Sequence, residues 1–373
     1  MIKHLKELET PSLIINEEKM NRNLHRMMSV RTKHGVNVRP HFKTHKSIAI
    51  AKKQLELGAI GITVATATEA ELLLDNGIEK ILIAFPLTDR KKISRLLERG
   101  KNARLIFAID SEEQAAIFKE EGNILEVEPE LWIKVNSGLN RCGVEPREET
   151  VQLATFIKKE AVGKLSGLFT HAGHSYAAAS PEEIDRIAKE EAESILTSAN
   201  ACENAGIPIE HRSVGSTPTF ERAAQYDGIT EVRPGNAVFF DAMQVGLGTA
   251  QLEETALTVL ATVVSKKKGR FIIDTGSKSL TTEKGAHGNE TVKGFGKILN
   301  EGELYVTRVS EEHGIVEIPE EAEGIWEKLQ LNQRVEVLPN HACPVVNLFD
   351  YYYVLKENGD LVTLPVDGRG KSQ

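Results

Sequence analysis

Aromatic residues make up only 5% of the chain, and cysteine occurs at three positions, Cys142, Cys202 and Cys343. So sparse and odd a set of thiols excludes the disulfide framework of a small secreted domain and points to a reducing, cytoplasmic setting. No stretch approaches the roughly 18 uninterrupted apolar residues of a membrane-spanning helix. The opening MIKHLKELETPSL lacks an apolar core followed by a small-residue cleavage site, so no signal peptide is expected. Positive charge is not in excess: 46 Lys and Arg stand against 54 Asp and Glu, which excludes the footprint of a nucleic-acid binder. Low-complexity segments and repeated blocks are missing too. What is present is 373 residues, 40% of them hydrophobic, enough for a barrel-sized domain and a smaller partner.

The chain alternates. Short apolar runs fall at 36–43, 60–64, 81–85, 104–109, 131–135, 168–171, 212–214 and 231–233, and helical patterns separate most of them. One such helix starts at Ser111 with Gln114 three residues on. Another opens Ser180-Pro181-Glu182-Glu183, an N-cap followed by Pro and a capping-box Glu. Eight strands alternating with helices predict a parallel sheet, and eight is the number that closes a (β/α)8 barrel; a doubly wound open sheet is the competing reading. Past residue 257 the helical rhythm gives way to short strands between turns rich in Gly, Lys, Glu and Asn. The expectation is an α/β fold: a barrel over residues 12–250 and a mostly antiparallel β domain over 251–373, joined by residues 1–11.

In such a barrel the chemistry lies at the C-terminal ends of the strands. The first run alternates Val36, Val38, Pro40 and Phe42 on one face with Asn37, Arg39, His41 and Lys43 on the other. Lys43 is the last inward residue, crowded by Arg39, His41, His45 and Lys46, which favours a neutral amine able to form an imine. A plain anion-binding patch fits this strand equally well. The fifth run places Trp132, Lys134 and Asn136 inward and leads to Arg141; buried cations there need an anion or an ion-pair network. The sixth ends in Thr170-His171-Ala172-Gly173-His174-Ser175-Tyr176. The seventh and eighth run into Gly215-Ser216-Thr217-Pro218-Thr219 and Arg233-Pro234-Gly235-Asn236, small and hydroxyl-bearing loops at the positions where this fold binds phosphate. A phosphate site facing an inward lysine describes pyridoxal phosphate (PLP). In the second domain, His341 and Cys343 stand two residues apart and can reach one ion, and imidazole with thiolate favours Zn²⁺. A buried cysteine beside a satisfied histidine is the alternative for that pair.

Taken together these stretches resemble the D-threonine aldolase and D-serine dehydratase family, whose barrel is shared with the N-terminal domain of alanine racemase. The resemblance implies a Schiff base on Lys43, Arg141 near the cofactor's phenolic oxygen, and phosphate held by Gly215, Ser216, Thr217, Gly235 and Asn236. It implies a divalent metal on His341 and Cys343, and Cys at the second position looks more like the zinc-dependent dehydratase branch. His171, Tyr176 and Arg233 complete the expected cofactor contacts, Arg233 near the pyridine nitrogen. Two residues depart from the pattern: Asn136, where the family often has Asp, and Ala237, where an aromatic is common. The expected activity is a PLP- and metal-dependent lyase on β-hydroxy-D-amino acids. Lys43 would take the Cα proton in dehydration, or His174 the hydroxyl proton in aldol cleavage, and a homodimer is expected. The rivals are an amino-acid racemase, with a second base among Tyr351–Tyr353, and a PLP-free metallohydrolase built on His41, His45, His171 and His174.

Overall fold

The computed structural model describes residues 5–373; the first four residues of the 1–11 segment lie outside the described part. Eight strands make one parallel sheet: Asn37–Val38, Ile62–Val64, Lys80–Ile83, Arg104–Ile109, Glu130–Lys134, Lys164–Phe169, His211–Val214 and Glu231–Val232. From the second onward each pairs with its chain neighbour, and the eighth pairs with the first. The remaining gap is closed by a bridge between His41 and Thr63, with Ile60 N donating to Val38 O at 3.0 Å and Thr63 N to Pro40 O at 2.8 Å. The sheet is therefore a closed barrel, and the open doubly wound alternative is excluded.

The helices between strands start where the sequence places their caps. Ser111 accepts from Gln114 N and Ser180 from Glu183 N, each at 3.3 Å, and Pro181 opens the long helix Pro181–Asn204. Apolar faces of these helices join one continuous core with the outward residues of the strands, Val36, Val38 and Phe42 among them. Inside the barrel a separate plug of Leu82, Ile106, Ala108, Trp132 and Phe169 fills the lower half. Arg39 lies over Trp132, 5.7 Å from its ring centre, and is paired at 2.9 Å with Glu231; both charges are buried and compensate each other.

One element differs from the sequence reading. The first run is a strand only over Asn37–Val38, and Lys43 sits in the 3-10 turn Phe42–Thr44 beyond its end. Pro40 has no N–H to continue the ladder, and His41 turns the chain by accepting from Lys43 N at 3.3 Å. The inward parity of Arg39, His41 and Lys43 nevertheless holds, since Arg39 points to the plug and the other two line the cavity above it.

The second sheet contains Ser12–Asn16, Leu257–Lys267, Arg270–Ile273, Lys297–Ile298, Val306–Val309, Gly314–Glu317, Arg334–Leu338, Tyr351–Leu355 and Leu361–Pro365. It is antiparallel except where Ser12–Asn16 runs parallel to Tyr351–Leu355. Residues 12–16, grouped with the barrel by the sequence, are thus a central strand of this sheet, zipped antiparallel to the strand at 257–267 with Ser12 opposite Leu260. The run Leu13-Ile14-Ile15 is buried on both faces, as such a position demands, but an apolar run alone does not say which sheet it joins.

Candidate active site

At the C-terminal ends of the barrel strands, where the second sheet's loops cover them, lies a cavity of about 450 Å³. Lys43, Arg141, His171, Tyr176, Gly215, Ser216, Thr217, Arg233, Gly235, Asn236, His341 and Cys343 all line it; His174 does not. Residues separated by up to 300 positions in sequence are thereby gathered round a space large enough for a cofactor and a small substrate.

Burial in this space lowers the pKa of Lys43, and the nearby Arg141 lowers it further, against the pull of Cys343 and Glu69. The amine is thus biased toward its neutral, nucleophilic form. Arg141 is aimed by a loop that Asn136 shapes from outside the cavity: its Oδ1 accepts from Gly138 N and Asn140 N, while its Nδ2 donates to Glu145 at 2.8 Å. So the Asn136 side chain is a loop brace and not an inward group of the fifth strand. Lys134 and Arg233 flank the Phe169 ring at 5.8 and 5.1 Å. Arg233 also donates to Ser213 Oγ and to Thr170 O, which fixes its guanidinium at the cavity wall. Burial lowers its pKa to about 10, so it stays charged at neutral pH.

On the far side, the loops after the seventh and eighth strands form a cradle. Gly215 has φ 137°, and a Cβ there would stand 2.7 Å from Arg233 N. Its N–H, expected to face a phosphate, instead donates to the buried carboxylate of Glu191 at 2.8 Å, and its carbonyl meets His171 Nδ1 at 2.9 Å. Ser216 Oγ is engaged by Ser175 and Thr219, both at 2.9 Å. Asn236 gives one of its two amide N–H groups to Asp241. Thr217 Oγ1 is buried and has no hydrogen-bond partner. A hydroxyl donor without an acceptor, set in a glycine-lined cradle, fits a phosphate. Pyridoxal phosphate therefore suits these residues, through fewer Gly215 and Asn236 donors than the sequence implied.

His341 and Cys343 meet on the cavity wall. His341 Nδ1 pairs with Glu283 at 2.9 Å, which leaves Nε2 for an ion, the usual orientation of a carboxylate-supported metal ligand. Burial opposes charge on His341, but the Cys343 sulfur and Glu283 outweigh it and raise its pKa to about 10. Burial alone would raise the Cys343 thiol; His341, Lys43 and the Thr44 hydroxyl, 3.2 Å away, bring it down. An imidazole with a readily ionised thiol is a donor set for Zn²⁺. Among the described residues no group of three or more His, Cys, Asp or Glu side chains is placed to hold a metal, so an ion here would keep positions open for substrate.

His174 faces away from the cavity, against Gly138, and its Nδ1 is buried without a partner. In its place stands His287, from the 3-10 turn Ala286–Gly288, with φ 52°. Its ring centre is 6.4 Å from that of His171 and 6.0 Å from that of Tyr176, and burial lowers its pKa, as do Arg141, Lys43 and His341. Sequence reasoning passed over His287 and Glu283 because they lie in a glycine-rich loop without periodicity. The metallohydrolase constellation does not form: His41 and His171 line the cavity, His45 and His174 do not. None of Tyr351–Tyr353 lines this cavity: Tyr352 is buried with its hydroxyl on His45 O, and Tyr351 is exposed.

Comparison with known proteins agrees with this geometry. A model of the alanine racemase N-terminal domain matches residues 15–243, and a putative serine dehydratase domain matches residues 256–355. The chain is 34% identical over 370 residues to D-threo-3-hydroxyaspartate dehydratase of Delftia sp. (strain HT23), covering 95% of this chain and 96% of that one. The solved structure of that dehydratase superimposes with a TM-score of 0.91 over 98% and 99% of the two chains, and one of its mutants has been solved in a metal-free form. D-threonine aldolase from Filomicrobium marinum, 26% identical, superimposes with a TM-score of 0.90 over 99% of this chain and 98% of the aldolase. A racemase-type barrel with a lysine at its mouth opposite a phosphate cradle defines a pyridoxal-phosphate enzyme. The chain belongs to the family that joins the alanine racemase N-terminal domain to a serine dehydratase domain, whose members are PLP-dependent lyases with a divalent metal.

Proposed function

We propose that this chain removes water from β-hydroxy-D-amino acids, with PLP held on Lys43 and Zn²⁺ on His341 and Cys343. The observation that carries the reading is that Lys43, the imidazole–thiol pair and the phosphate cradle share one cavity. The first-named relative is itself a dehydratase of a β-hydroxy-D-amino acid. PLP would supply the electron sink for breaking the Cα–H bond, and the metal a Lewis acid for the β-oxygen. Lys43, its pKa lowered by burial, would be the proton acceptor at Cα. Arg233, charged and held by Ser213 and Thr170, would stand near the pyridine nitrogen and would favour its unprotonated form. Arg141 would bind the phenolic oxygen, and Thr217 with the backbone of residues 216–217 and 235–236 would hold the phosphate. Tyr176 and His171 wall the site, and the pKa of each is moved by burial toward its neutral form.

A second reading rests on His287. A neutral imidazole at this wall could take the proton of the β-hydroxyl, the step that aldol cleavage needs, and it replaces the role expected of His174. Incubation of PLP- and Zn-loaded protein with D-serine, D-threonine and D-3-hydroxyaspartate separates the outcomes: ammonia and a keto acid for dehydration, glycine and an aldehyde for cleavage. Absence of both products from every substrate would refute the lyase assignment.

We further propose a cytoplasmic homodimer. Three free cysteines support the reducing compartment, and among the described residues no helix is long and apolar enough to cross a membrane. Phe85 lines the cavity yet is 58% exposed, as a residue at a mouth covered by a second subunit would be. Light scattering on the purified protein tests the dimer.

A further inference from the structure

The two cofactor sites proposed above belong to different sheets, yet one carboxylate touches both. Asp241 caps the short helix Ala242–Gly246, its Oδ1 accepting from Gln244 N at 3.2 Å. Its Oδ2 accepts twice: from Asn236 Nδ2, on the phosphate loop, and at 2.9 Å from Ala342 N, between the two proposed metal ligands. All four residues are at most 2% exposed, so none of these donors has water as an alternative. The backbones run together as well, Ala242 N on Pro339 O at 3.1 Å and Met243 N on Asn340 O at 3.2 Å. Only a carboxylate can serve this junction, because an amide in its place would present N–H to one of the donors.

We infer that Asp241 is a positioning residue that couples the two cofactors: phosphate binding at the loop of residues 235–236 sets the segment 341–343 for the metal, and the metal sets the loop for phosphate. The inference rests on the assignment of PLP to Lys43 and of the metal to His341 and Cys343. Asn236 is held from its side-chain end by Asp241 while its backbone faces the cradle. A phosphate that draws in the Asn236 backbone therefore orders the Asp241 carboxylate, and with it the Ala342 N–H. Linkage requires the effect to be equal in both directions.

The test measures zinc affinity of the whole protein by competition with a chromophoric chelator, first without cofactor, then with PLP, then with pyridoxal. Pyridoxal can form the same imine at Lys43 but brings no phosphate, so it controls for the through-space effect of Lys43 on Cys343. PLP is expected to tighten zinc by about tenfold, within the usual range of coupling between sites, and pyridoxal by much less. Reciprocally, zinc should tighten PLP by the same factor, read from the cofactor's absorbance. In Asp241→Asn, and independently in Asn236→Ala, the PLP-dependent factor should fall to about one. A merely structural role would weaken both cofactors and leave the factor intact. Equal tightening by PLP and pyridoxal in the unaltered protein overturns the inference without any variant, as does an unchanged factor in a folded Asp241→Asn protein. Failure to bind PLP or zinc at all would instead overturn the assignment of the sites, and the coupling with it.

Discussion

Replacing Glu191 with leucine removes the acceptor that holds two loops of the site at once. Glu191 projects from the helix Pro181–Asn204 and is completely buried. Its carboxylate accepts from Gly215 N at 2.8 Å, Ala172 N at 3.2 Å and Thr219 Oγ at 2.7 Å. Leucine matches its bulk but offers no acceptor, so two backbone N–H groups lose their partner in a place water does not reach. At about 1–3 kcal/mol for each orphaned group, Glu191→Leu should destabilise the fold by about 2–6 kcal/mol. Part of that strain would be relieved by letting the loop 215–219 drift, and PLP affinity should then fall at least about tenfold, ~1.4 kcal/mol. Glu191→Gln keeps one oxygen for the two N–H groups, and the Thr219 hydroxyl can turn to accept from the new amide. Its loss should stay below about 1 kcal/mol. Urea unfolding of the apo-protein and titration of cofactor absorbance give the two numbers. A leucine variant as stable as the parent and equally avid for PLP would refute the reasoning, as would a glutamine variant as damaged as the leucine one.

His287→Ala should lower kcat/KM by about 10²-fold or more if its imidazole handles a proton at the β-oxygen, whereas His174→Ala should change it less than about threefold; steady-state kinetics on one substrate separates them. Lys43→Ala should abolish the PLP imine absorbance and its trapping by borohydride, while leaving zinc binding measurable. Chelation of the metal should abolish turnover and leave the PLP absorbance in place, and added Zn²⁺ should restore activity. His45 is buried and its pKa lowered by burial from 6.5 to about 3, so the unfolded chain takes up its proton first on acidification. Stability should therefore be full above pH 6.5 and fall toward pH 3, at about 1.4 kcal/mol per pH unit from this group, about 2 kcal/mol by pH 5. Urea midpoints at pH 5 and pH 7 check it, and His45→Gln should flatten the difference.

The barrel was legible because a parallel strand covered on both faces leaves a dense apolar run, and eight such runs recur with capped helices between them. Lys43, Arg141, the loops after the seventh and eighth strands and the His341/Cys343 pair drew notice for a related reason, since inward cations and glycine-hydroxyl turns at strand ends have few structural uses, and the fold gathers them round one cavity. Strand Leu361–Pro365 escaped because it ends in proline at the sheet edge, and Lys297–Ile298 because two residues carry no period. His174 lies off the cavity because successive side chains of the 3-10 turn Gly173–Ala177 point about 120° apart, so it does not share the direction of Tyr176 two residues on, which lines the cavity. Glu191, Asp241 and Glu283 gave no local signal at all. A glutamate in a charged helix looks like surface until the fold buries it against backbone donors from two other segments.

The strand Ser12–Asn16 changes how the architecture should be counted. It is zipped to Leu257–Lys267, so two adjacent strands of the second sheet are separated in sequence by the whole barrel. Topologically the barrel is an insertion between them, tethered to its host by two covalent crossings set side by side. Such double tethering resists the hinge rotation that a single linker allows, and it keeps the wall that carries His341 and Cys343 in register with the one that carries Lys43. Cutting the gene near residue 250 would therefore leave the host sheet without a central strand and the excised barrel carrying an unpaired one. A graft that exchanges barrels between relatives must be made at two seams, one on each side of this pair.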